Sequence, residues 1–252
     1  MSKLSICALS DIHGVLLKDI SKTDVVVICG DIIPLNFQRM INVSENWLLD
    51  EFKSWVQKLP CEKVIITPGN HDFYFYHYPK EIVKKLFNKN IGEKLVLLID
   101  ELYEYKGVTF YGCPWCDGPN NWAFCPSKTF SYEYILNKYN HIPHCDVLLT
   151  HQPAKIGNLG VSYWWDNVRS SDWSSEGLRK SIVDKDILVN FCGHIHSGEH
   201  NGVEYPTIAC KTVFYNVSIL DEDYNIFYPP TYVEIDTDNK TVTKCKCNSM
   251  SM

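Results

Sequence analysis

The sequence predicts an α/β fold in which buried strands alternate with helices around a mainly parallel or mixed central sheet. Short runs rich in Val and Ile, such as DVVVIC and KVIIT, are typical of strands that are buried on both faces. Stretches with apolar residues at helical spacing lie between these runs. A strand, helix, strand order of this kind places the sheet inside and the helices outside.

Five of the apolar runs are predicted as strands, and each one leads directly into polar side chains. They cover residues 4–9, 24–29, 63–67, 146–150 and 187–192. The region 205–246 has strand-like composition and few helix signals, so we expect it to finish a second sheet. Because no repeat, linker or low-complexity tract divides the chain, residues 1–252 are predicted to form a single domain.

Four helices are predicted between the strands. The longest covers residues 44–59, with Ser44 as its N-cap and several aromatic and aliphatic residues near helical spacing. A second covers residues 79–87, with Pro79 at its first helical position. Two shorter candidates cover residues 129–139 and 174–183.

The composition of the chain excludes some classes of protein. Apolar residues make up 45% of the 252 residues and charged residues 21%, which allows a sizeable core and argues against disorder. The formal net charge is −6 and no long basic run is present, so we expect no extended nucleic-acid surface. An acidic chain that binds an anionic substrate needs local positive charge, and bound metal ions supply it.

Neither a membrane span nor a signal peptide is predicted. No apolar stretch approaches the ~20 residues of a transmembrane helix, and the N-terminus runs directly into a strand. The eleven cysteines are odd in number and several lie inside apolar strands, which indicates free thiols in a reducing, cytoplasmic setting. The close pairs Cys113/Cys116 and Cys245/Cys247 are also expected to be free thiols, because a structural zinc site needs four ligands. A monomer or a homodimer is expected.

Side chains that can bind metals follow all five predicted strands. A single Asp after a strand is usually a turn or cap residue, and a single loop His is usually just solvated. Because ligands bind at the carboxyl ends of strands in α/β folds, the five strand ends together are expected to form one site. Its members are Asp11, His13, Asp31, Asn70, His71, His151, His194 and His196.

Two divalent cations would explain why these residue types occur together. Cations about 3.5–4 Å apart clamp a phosphate, lower the pKa of a bridging water and offset transition-state charge. Holding them so close requires a shared carboxylate, and Asp31 is the natural bridge. Mixed imidazole, carboxylate and amide ligands favour Mn, Fe, Zn, Ni or Co over Ca or Mg, with Mn expected to serve best in vitro. Gly30 and Gly193 precede predicted ligands, where the missing side chain lets the backbone turn tightly.

The motifs DxH, GD, GNHD, a later single His and GHxH occur in this order between Asp11 and His196. On these motifs the chain resembles the calcineurin-like metallophosphoesterase superfamily. The resemblance implies a four-layer αββα sandwich of two mixed sheets flanked by helices. It places His71 near the leaving-group oxygen, with Asp72 helping to orient it. It assigns to the first metal Asp11, His13, Asp31 and His196, and to the second Asp31, Asn70, His151 and His194.

A narrower resemblance rests on segments outside the metal motifs. Residues 111–115 (YGCPW), 121–124 (NWAF), 146–151 (DVLLTH) and 216–230 look like the metallophosphoesterase-domain-containing, UPF0046-like subfamily. This resemblance implies a class III phosphodiesterase-like enzyme that acts on cyclic nucleotides and aryl phosphodiesters. The chain departs from the subfamily near the expected substrate site, where Gln152-Pro153 replaces the usual Gly-Pro-Pro and residues 163–173 are rich in aromatics.

Five tryptophans lie in loop-like sequence between the GNHD and GHIH segments. They are Trp115, Trp122, Trp164, Trp165 and Trp173. Either they stack on a base or aryl group of the substrate, or they pack a satellite core under long loops. Trp115 is the best single candidate for substrate contact, because a Gly-Cys-Pro turn precedes it. The other histidines, expected to be solvated or capping residues, are His77, His141, His144 and His200.

These observations make a metal-dependent phosphodiesterase the first functional hypothesis. A hydroxide that bridges the metals attacks phosphorus in line, and His71, as imidazolium, protonates the departing oxygen. The expected substrate is a small phosphate ester, such as a cyclic nucleotide. A phosphomonoesterase or a nuclease on the same site is the alternative, because loop shape decides the substrate. A non-catalytic binding or scaffold protein would be expected to lack a ligand or the GNHD histidine, and this chain lacks neither.

Overall fold

The computed structural model of the protein describes residues 2–118, 121–126, 131–163, 170–183, 185–204 and 211–245. These residues form two six-stranded sheets, with strand orders β14-β13-β1-β2-β3-β4 and β11-β12-β10-β7-β6-β5, and a hairpin of β8 and β9. In chain order the strands are β1 (Lys3–Leu9), β2 (Val25–Cys29), β3 (Lys63–Thr67), β4 (Leu95–Leu97), β5 (Glu101–Tyr105), β6 (Val108–Cys113), β7 (Val147–Thr150), β8 (Val161–Tyr163), β9 (Ser170–Asp172), β10 (Val189–Cys192), β11 (Val203–Glu204), β12 (Val213–Asn216), β13 (Thr231–Asp236) and β14 (Thr241–Lys244).

A shared apolar core packs the two sheets against each other. Along β1, Leu4, Ile6 and Ala8 belong to this core, together with residues of β6, β7 and β10 from the second sheet. Cys7 and Leu9 belong instead to a cluster on the outer face, because successive side chains of a strand point to opposite faces. Each sheet therefore buries both of its faces, as the Val- and Ile-rich strands predict.

Helices cover the outer faces of the sheets. Trp47, Phe52 and Val56 from the first helical stretch join the same cluster as Cys7 and Leu9. The predicted four-layer αββα sandwich of two mixed sheets is confirmed. The helices are α1 (Ile41–Trp47), a π-helical segment (Leu48–Phe52), α2 (Lys53–Lys58), α3 (Phe73–His77), α4 (Lys80–Asn90), α5 (Ser131–Asn140) and α6 (Glu176–Ile182).

The predicted N-cap at Ser44 is wrong. Helix α1 begins at Ile41 after Met40, and Ser44 is buried within the helix. The Ser44 hydroxyl donates to the backbone carbonyl of Phe37 (2.8 Å), so it satisfies a carbonyl of the preceding turn instead of the helix terminus. Helix α4 follows Pro79, which is its N-cap, and residues 129–130 of the third predicted helix lie outside the described residues.

The described residues 211–245 add strands to both sheets: β12 joins the second sheet, as expected for this region, whereas β13 and β14 join the first. Strand β12 runs parallel to β10 in the second sheet. Strand β13 instead pairs with β1 in the first sheet, in antiparallel register from Lys3–Asp236 to Ala8–Thr231. Val233 and Ile235 of β13 thereby add apolar surface to the core between the sheets.

Parallel pairing brings the carboxyl ends of the five predicted strands together. Strands β1, β2 and β3 are parallel neighbours in one sheet, and β7 and β10 are parallel neighbours in the other. A bridge between Ser10 and Ser218 joins the two sheets at this edge. None of the helices in the described part of the chain is long and apolar enough to cross a membrane. The single domain over residues 1–252 stays a prediction.

Candidate metal centre

The loops that follow the strands hold their backbone in an uncommon conformation. Asp11, His13, Asp31 and His194 have positive φ angles of 53°, 40°, 52° and 72°. Side-chain-bearing residues rarely adopt this left-handed region, because the Cβ atom crowds the backbone. Such strain persists where the surrounding structure enforces it, and it is concentrated at functional sites. All four residues belong to the predicted metal set.

Two glycines let these loops approach each other. Gly30 has φ +99°, and a Cβ atom at this position would overlap the Nδ1 atom of His151. A Cβ atom on Gly193 would overlap the hydroxyl of Ser10 and the carboxylate of Asp11. Both glycines are therefore required by close packing beside the site, as predicted from their positions before ligands.

Asp31 lies at the centre of the cluster. Its Oδ2 atom is 3.3 Å from Nε2 of His151, 3.7 Å from Nε2 of His13 and 3.8 Å from Nε2 of His71. Its Oδ1 atom accepts a hydrogen bond from the backbone N–H of His71 (2.8 Å), which fixes the carboxylate plane. One carboxylate oxygen thus faces imidazoles from three different loops.

Asp11 occupies the other side of the cluster and is completely buried. Its Oδ1 atom lies 3.6 Å from Nε2 of His196. Both carboxylate oxygens accept from the backbone N–H of His194 (3.1 and 3.0 Å), and Oδ2 also accepts from the Ser218 hydroxyl (2.6 Å). These bonds orient the carboxylate toward the imidazoles.

Backbone carbonyls orient two of the imidazoles. His151 donates from Nδ1 to the carbonyl of Cys29 (2.8 Å), which leaves Nε2 facing Asp31 and 2.9 Å from Oδ1 of Asn70. His196 donates from Nδ1 to the carbonyl of Asp221 (2.8 Å), which leaves Nε2 facing Asp11. Metal-binding histidines characteristically use the second ring nitrogen in this way, because it fixes the tautomer and the ring orientation.

Burial and neighbouring charges shift the pKa values of the cluster. Burial opposes ionisation of Asp31, but the His151 and His71 imidazoles outweigh it and hold the Asp31 pKa well below its usual range. Burial also opposes a charge on His151, yet the Asp31 and Asp11 carboxylates raise the His151 pKa to about 10. Burial lowers the pKa of His13 to about 4 against the pull of Asp31.

The residues fit a pair of divalent metal ions. Both ring nitrogens of His13 are buried and have no hydrogen-bond partner among the described residues, an arrangement that is costly unless another group binds them. In the described part of the chain, three groups of side chains have ligand atoms within 4.8 Å of one another, and each mixes carboxylate with imidazole. The groups are Asp11, His13 and His196; His13, Asp31 and His71; and Asp11, Asp31 and His151.

Asn70 and His194 border this cluster through His151. The Asn70 amide oxygen meets Nε2 of His151, and the His194 ring lies 5.0 Å from the His151 ring, measured between centroids. The structure therefore brings all eight predicted strand-end residues to one place. Their division between two metals stays a prediction.

Asp72 contacts backbone and not the His71 ring. Its Oδ1 atom accepts from the N–H groups of Ile32 (2.9 Å) and Ile33 (3.0 Å), and its Oδ2 atom accepts from that of Gly69 (2.8 Å). Burial, followed by the nearby Asp31 charge, raises the Asp72 pKa to about 7. Asp72 thus ties the loop after β2 to the turn that carries His71. Asp72 can therefore influence the orientation of His71 through the backbone of this turn.

Trp115 is packed into the protein, with 8% of its surface exposed. Its indole N–H donates to the Asp100 carboxylate (2.9 Å), and the Lys138 ammonium lies 4.4 Å from the ring centroid. Substrate contact by Trp115 stays a prediction. Among the other tryptophans, Trp173 is 56% exposed, and Trp164 and Trp165 lie outside the described residues.

Two aromatic residues outside the predicted metal set border the cluster directly. The Trp122 ring lies 4.5 Å from the His71 ring. The Tyr224 ring contacts those of His13 (5.1 Å) and His196 (5.2 Å), all between centroids. Trp122 is one of the five tryptophans expected either to stack on the substrate or to pack a satellite core, and nothing in its sequence indicates the contact with His71. The DEDYN sequence around Tyr224 indicates a turn, but nothing in it indicates what that turn contacts.

The remaining candidates lie outside the cluster. Cys113 and Cys116 are buried free thiols, and Cys247 lies outside the described residues. His141 is exposed and donates from Nδ1 to the carbonyl of Asn137 (2.6 Å) near the end of α5. His200 stacks on Tyr228 with ring centroids 3.6 Å apart.

Comparison with protein families and solved structures agrees with this geometry. The model of the calcineurin-like phosphoesterase family matches residues 4–198, a range that contains the entire predicted metal set. A crystal structure that is 13% identical superimposes with a TM-score of 0.60 and covers 97% of this chain and 99% of its own. At this identity the likeness concerns the fold alone.

Curated relatives extend the match to the subfamily. Metallophosphoesterase domain-containing protein 1 of Homo sapiens is 26% identical over 235 residues, which cover 85% of this chain and 65% of that protein. A UPF0046 protein of Caenorhabditis elegans is 26% identical over 248 residues, which cover 93% of this chain and 82% of that protein. The match thus spans just under two thirds of the human relative. The resemblance drawn from the motifs is confirmed.

Proposed function

This chain belongs to the calcineurin-like phosphoesterase family, and from that premise we propose that it is a metal-dependent phosphodiesterase for a cyclic nucleotide or another small phosphodiester. The observation that carries the proposal is the Oδ2 atom of Asp31, which lies 3.3, 3.7 and 3.8 Å from three imidazole nitrogens. A carboxylate in this position suits a ligand that two cations share. The proposed ligands are Asp11, His13, Asp31 and His196 for one ion, and Asp31, Asn70, His151 and His194 for the other.

Each side chain has a separate task in the proposed reaction. Two bound divalent ions would supply positive charge to the phosphate oxygens and lower the pKa of a water molecule. His71, whose side chain is 15% exposed, donates a proton to the departing oxygen. His71 and Asn70 are consecutive, so their side chains leave the turn in different directions. Asp72 holds that turn against the loop after β2.

The charges around the cluster support a diester over a monoester. In the described part of the chain, the Asp11 and Asp31 carboxylates lie within 4 Å of histidine nitrogens, and no Lys or Arg side chain pairs with either. A diester carries one negative charge, whereas a monoester dianion carries two and demands more compensating positive charge. The site is therefore better matched to the singly charged ester.

A panel of substrates tests the proposal. We expect the Mn²⁺-loaded protein to hydrolyse cyclic nucleotides or aryl diesters with a kcat/KM at least roughly tenfold above that for the matching monoesters, a difference of ~1.4 kcal/mol in transition-state stabilisation. Chelation should abolish turnover, and Mn²⁺ should restore it better than Mg²⁺ because imidazole ligands disfavour Mg²⁺. Initial rates on cyclic nucleotides, linear dinucleotides, aryl diesters and monoesters provide the measurement.

Other results of the substrate panel would indicate one of the alternative functions. Faster turnover of monoesters would make the protein a phosphomonoesterase, and a preference for linear dinucleotides or longer strands would make it a nuclease. Equal rescue by Mg²⁺ would contradict the proposed ligand set. Tight metal binding without turnover of any ester would indicate a binding protein.

A further inference from the structure

Among the residues that the structure describes, none forms a hydrogen bond that orients the His71 imidazole. Its Nδ1 atom is buried and unpartnered among the described residues. Its Nε2 atom lies 3.8 Å from Asp31 Oδ2, which is beyond hydrogen-bond distance. The Asp72 carboxylate bonds to backbone N–H groups instead. A general acid must nevertheless be held within reach of the leaving group, so another contact has to restrict this ring.

Trp122 makes that contact. Its ring centroid lies 4.5 Å from that of His71, with an angle of 38° between the ring planes. This separation is within the range of favourable aromatic pairs. His13 meets the same imidazole edge-on, with centroids 4.9 Å apart and planes at 82°. The ring of His71 is thus confined by an indole and by a second imidazole.

Trp122 is itself held in place from two directions. The backbone N–H of the next residue, Ala123, donates to the carbonyl of Asn70 (3.1 Å), which ties the loop to the residue before His71. The Arg39 guanidinium carbon lies 5.1 Å from the Trp122 ring centroid and 4.1 Å from that of Phe73. Arg39 also donates to the carbonyl of Asn121 (2.8 Å). The indole therefore has its own support, independent of His71.

We propose that Trp122 is a positioning residue for His71. It keeps the imidazole in the orientation from which it donates its proton, and it acts on the reaction through His71 and not through the substrate. This inference rests on the proposed function, because it concerns the general acid of the same site. It predicts that loss of the indole lowers kcat only for substrates whose leaving group must be protonated.

Substitution of Trp122 tests this assignment. With an alkoxide leaving group, Trp122→Ala should lower kcat by roughly 10²-fold, the usual cost of a ~1 Å misplacement, with little change in KM. With a nitrophenolate leaving group, kcat should change by less than about threefold, because this group departs without a proton. Trp122→Phe retains an aromatic face and should recover most of the lost kcat. Tyr76→Ala is the matched control, since Tyr76 packs on Phe124 of the same loop (5.3 Å between centroids).

A double-mutant cycle separates positioning from substrate stacking. If Trp122 acts through His71, Trp122→Ala should lower kcat by no more than about twofold in a His71→Ala background. The same loss in both backgrounds, or a loss that appears in KM for both leaving groups, would overturn the inference and assign Trp122 to substrate contact. An equal loss in Tyr76→Ala would also overturn it, because general loosening of the loop would then explain the effect.

A spectroscopic measurement keeps this inference separate from the proposed function. The ring-proton resonances of His71, assigned with His71→Ala, should shift in Trp122→Ala because the indole ring current is lost. Unmoved resonances would contradict the ring contact whether or not the protein turns over a diester. If the resonances shift but the wild-type protein hydrolyses no phosphodiester, the ring contact stands, whereas the proposed function and the catalytic role assigned to Trp122 are refuted.

Discussion

Replacement of Asp31 by Asn is expected to be the most damaging single ligand change. Its Oδ2 atom faces imidazole nitrogens of His13, His71 and His151, so the neutral amide weakens both proposed metal sites together. We expect a loss in kcat of at least roughly 10³-fold, the upper end of the cost of removing one donor from an oxyanion hole. Elemental analysis of the purified variant should find fewer bound metal ions than in the wild-type protein.

Asp24→Asn is the matched control for this substitution. Asp24 directly precedes β2 and Asp31 follows it, so the two carboxylates lie at opposite ends of one strand. Asp24 accepts from the Ser5 hydroxyl (2.6 Å) and pairs with Lys106 (2.9 Å). Its replacement should affect stability but leave metal content and kcat unchanged. Two tightly bound metals and near-normal turnover in Asp31→Asn would show that Asp31 does not bridge the ions.

Removal of the His71 side chain is expected to produce the second largest effect. With an alkoxide leaving group, such as a ribose oxygen, His71→Ala should lower kcat by roughly 10²–10⁴-fold, because the departing oxygen loses its proton donor. The defect should shrink for a nitrophenolate, which leaves without a proton. Measuring kcat on both substrate types, with metal content determined in parallel, distinguishes proton donation from metal binding.

The metal content is decisive because His71 also groups with His13 and Asp31 among the possible ligand sets. We expect His71→Ala to retain its metals. Loss of a metal would make His71 a ligand, and an equal loss of kcat on both substrates would make it a phosphate-positioning residue. His77→Ala is a suitable control, since His77 is exposed and lies in α3 of the same segment.

Much of the fold could be predicted because its information is local. The runs that form β1, β2, β3, β7 and β10 are short and apolar, and β2 and β3 are also rich in β-branched residues, so their burial determines their structure. The sequence predicts Ser44 as the N-cap, but α1 begins at Ile41. The Ser44 hydroxyl bonds instead to the carbonyl of Phe37 in the preceding turn. The partner of β13 could not be predicted from composition, because pairing with β1 joins residues more than two hundred positions apart.

The same distinction between local sequence patterns and long-range contacts applies to the candidate site. Each predicted ligand follows within a few residues of a strand, so parallel order brings Asp11 and Asp31 together in the first sheet. Packing of the second sheet then adds His151 to them. Trp122 and Tyr224 come from loops whose positions depend on tertiary contacts. Trp122 depends on the bond from Ala123 to Asn70. Tyr224 depends on the turn at Asp221, whose carbonyl accepts from His196. No local pattern encodes such contacts.

We propose that two divalent ions, sharing Asp31 as a ligand, would make this protein a phosphodiesterase. Titration of the metal-free protein with Mn²⁺, with aryl diester turnover measured at each step, tests it most directly. We predict no turnover without metal and a rise that ends at two equivalents of bound Mn²⁺. Full turnover at one equivalent, or turnover in the metal-free protein, would contradict the claim.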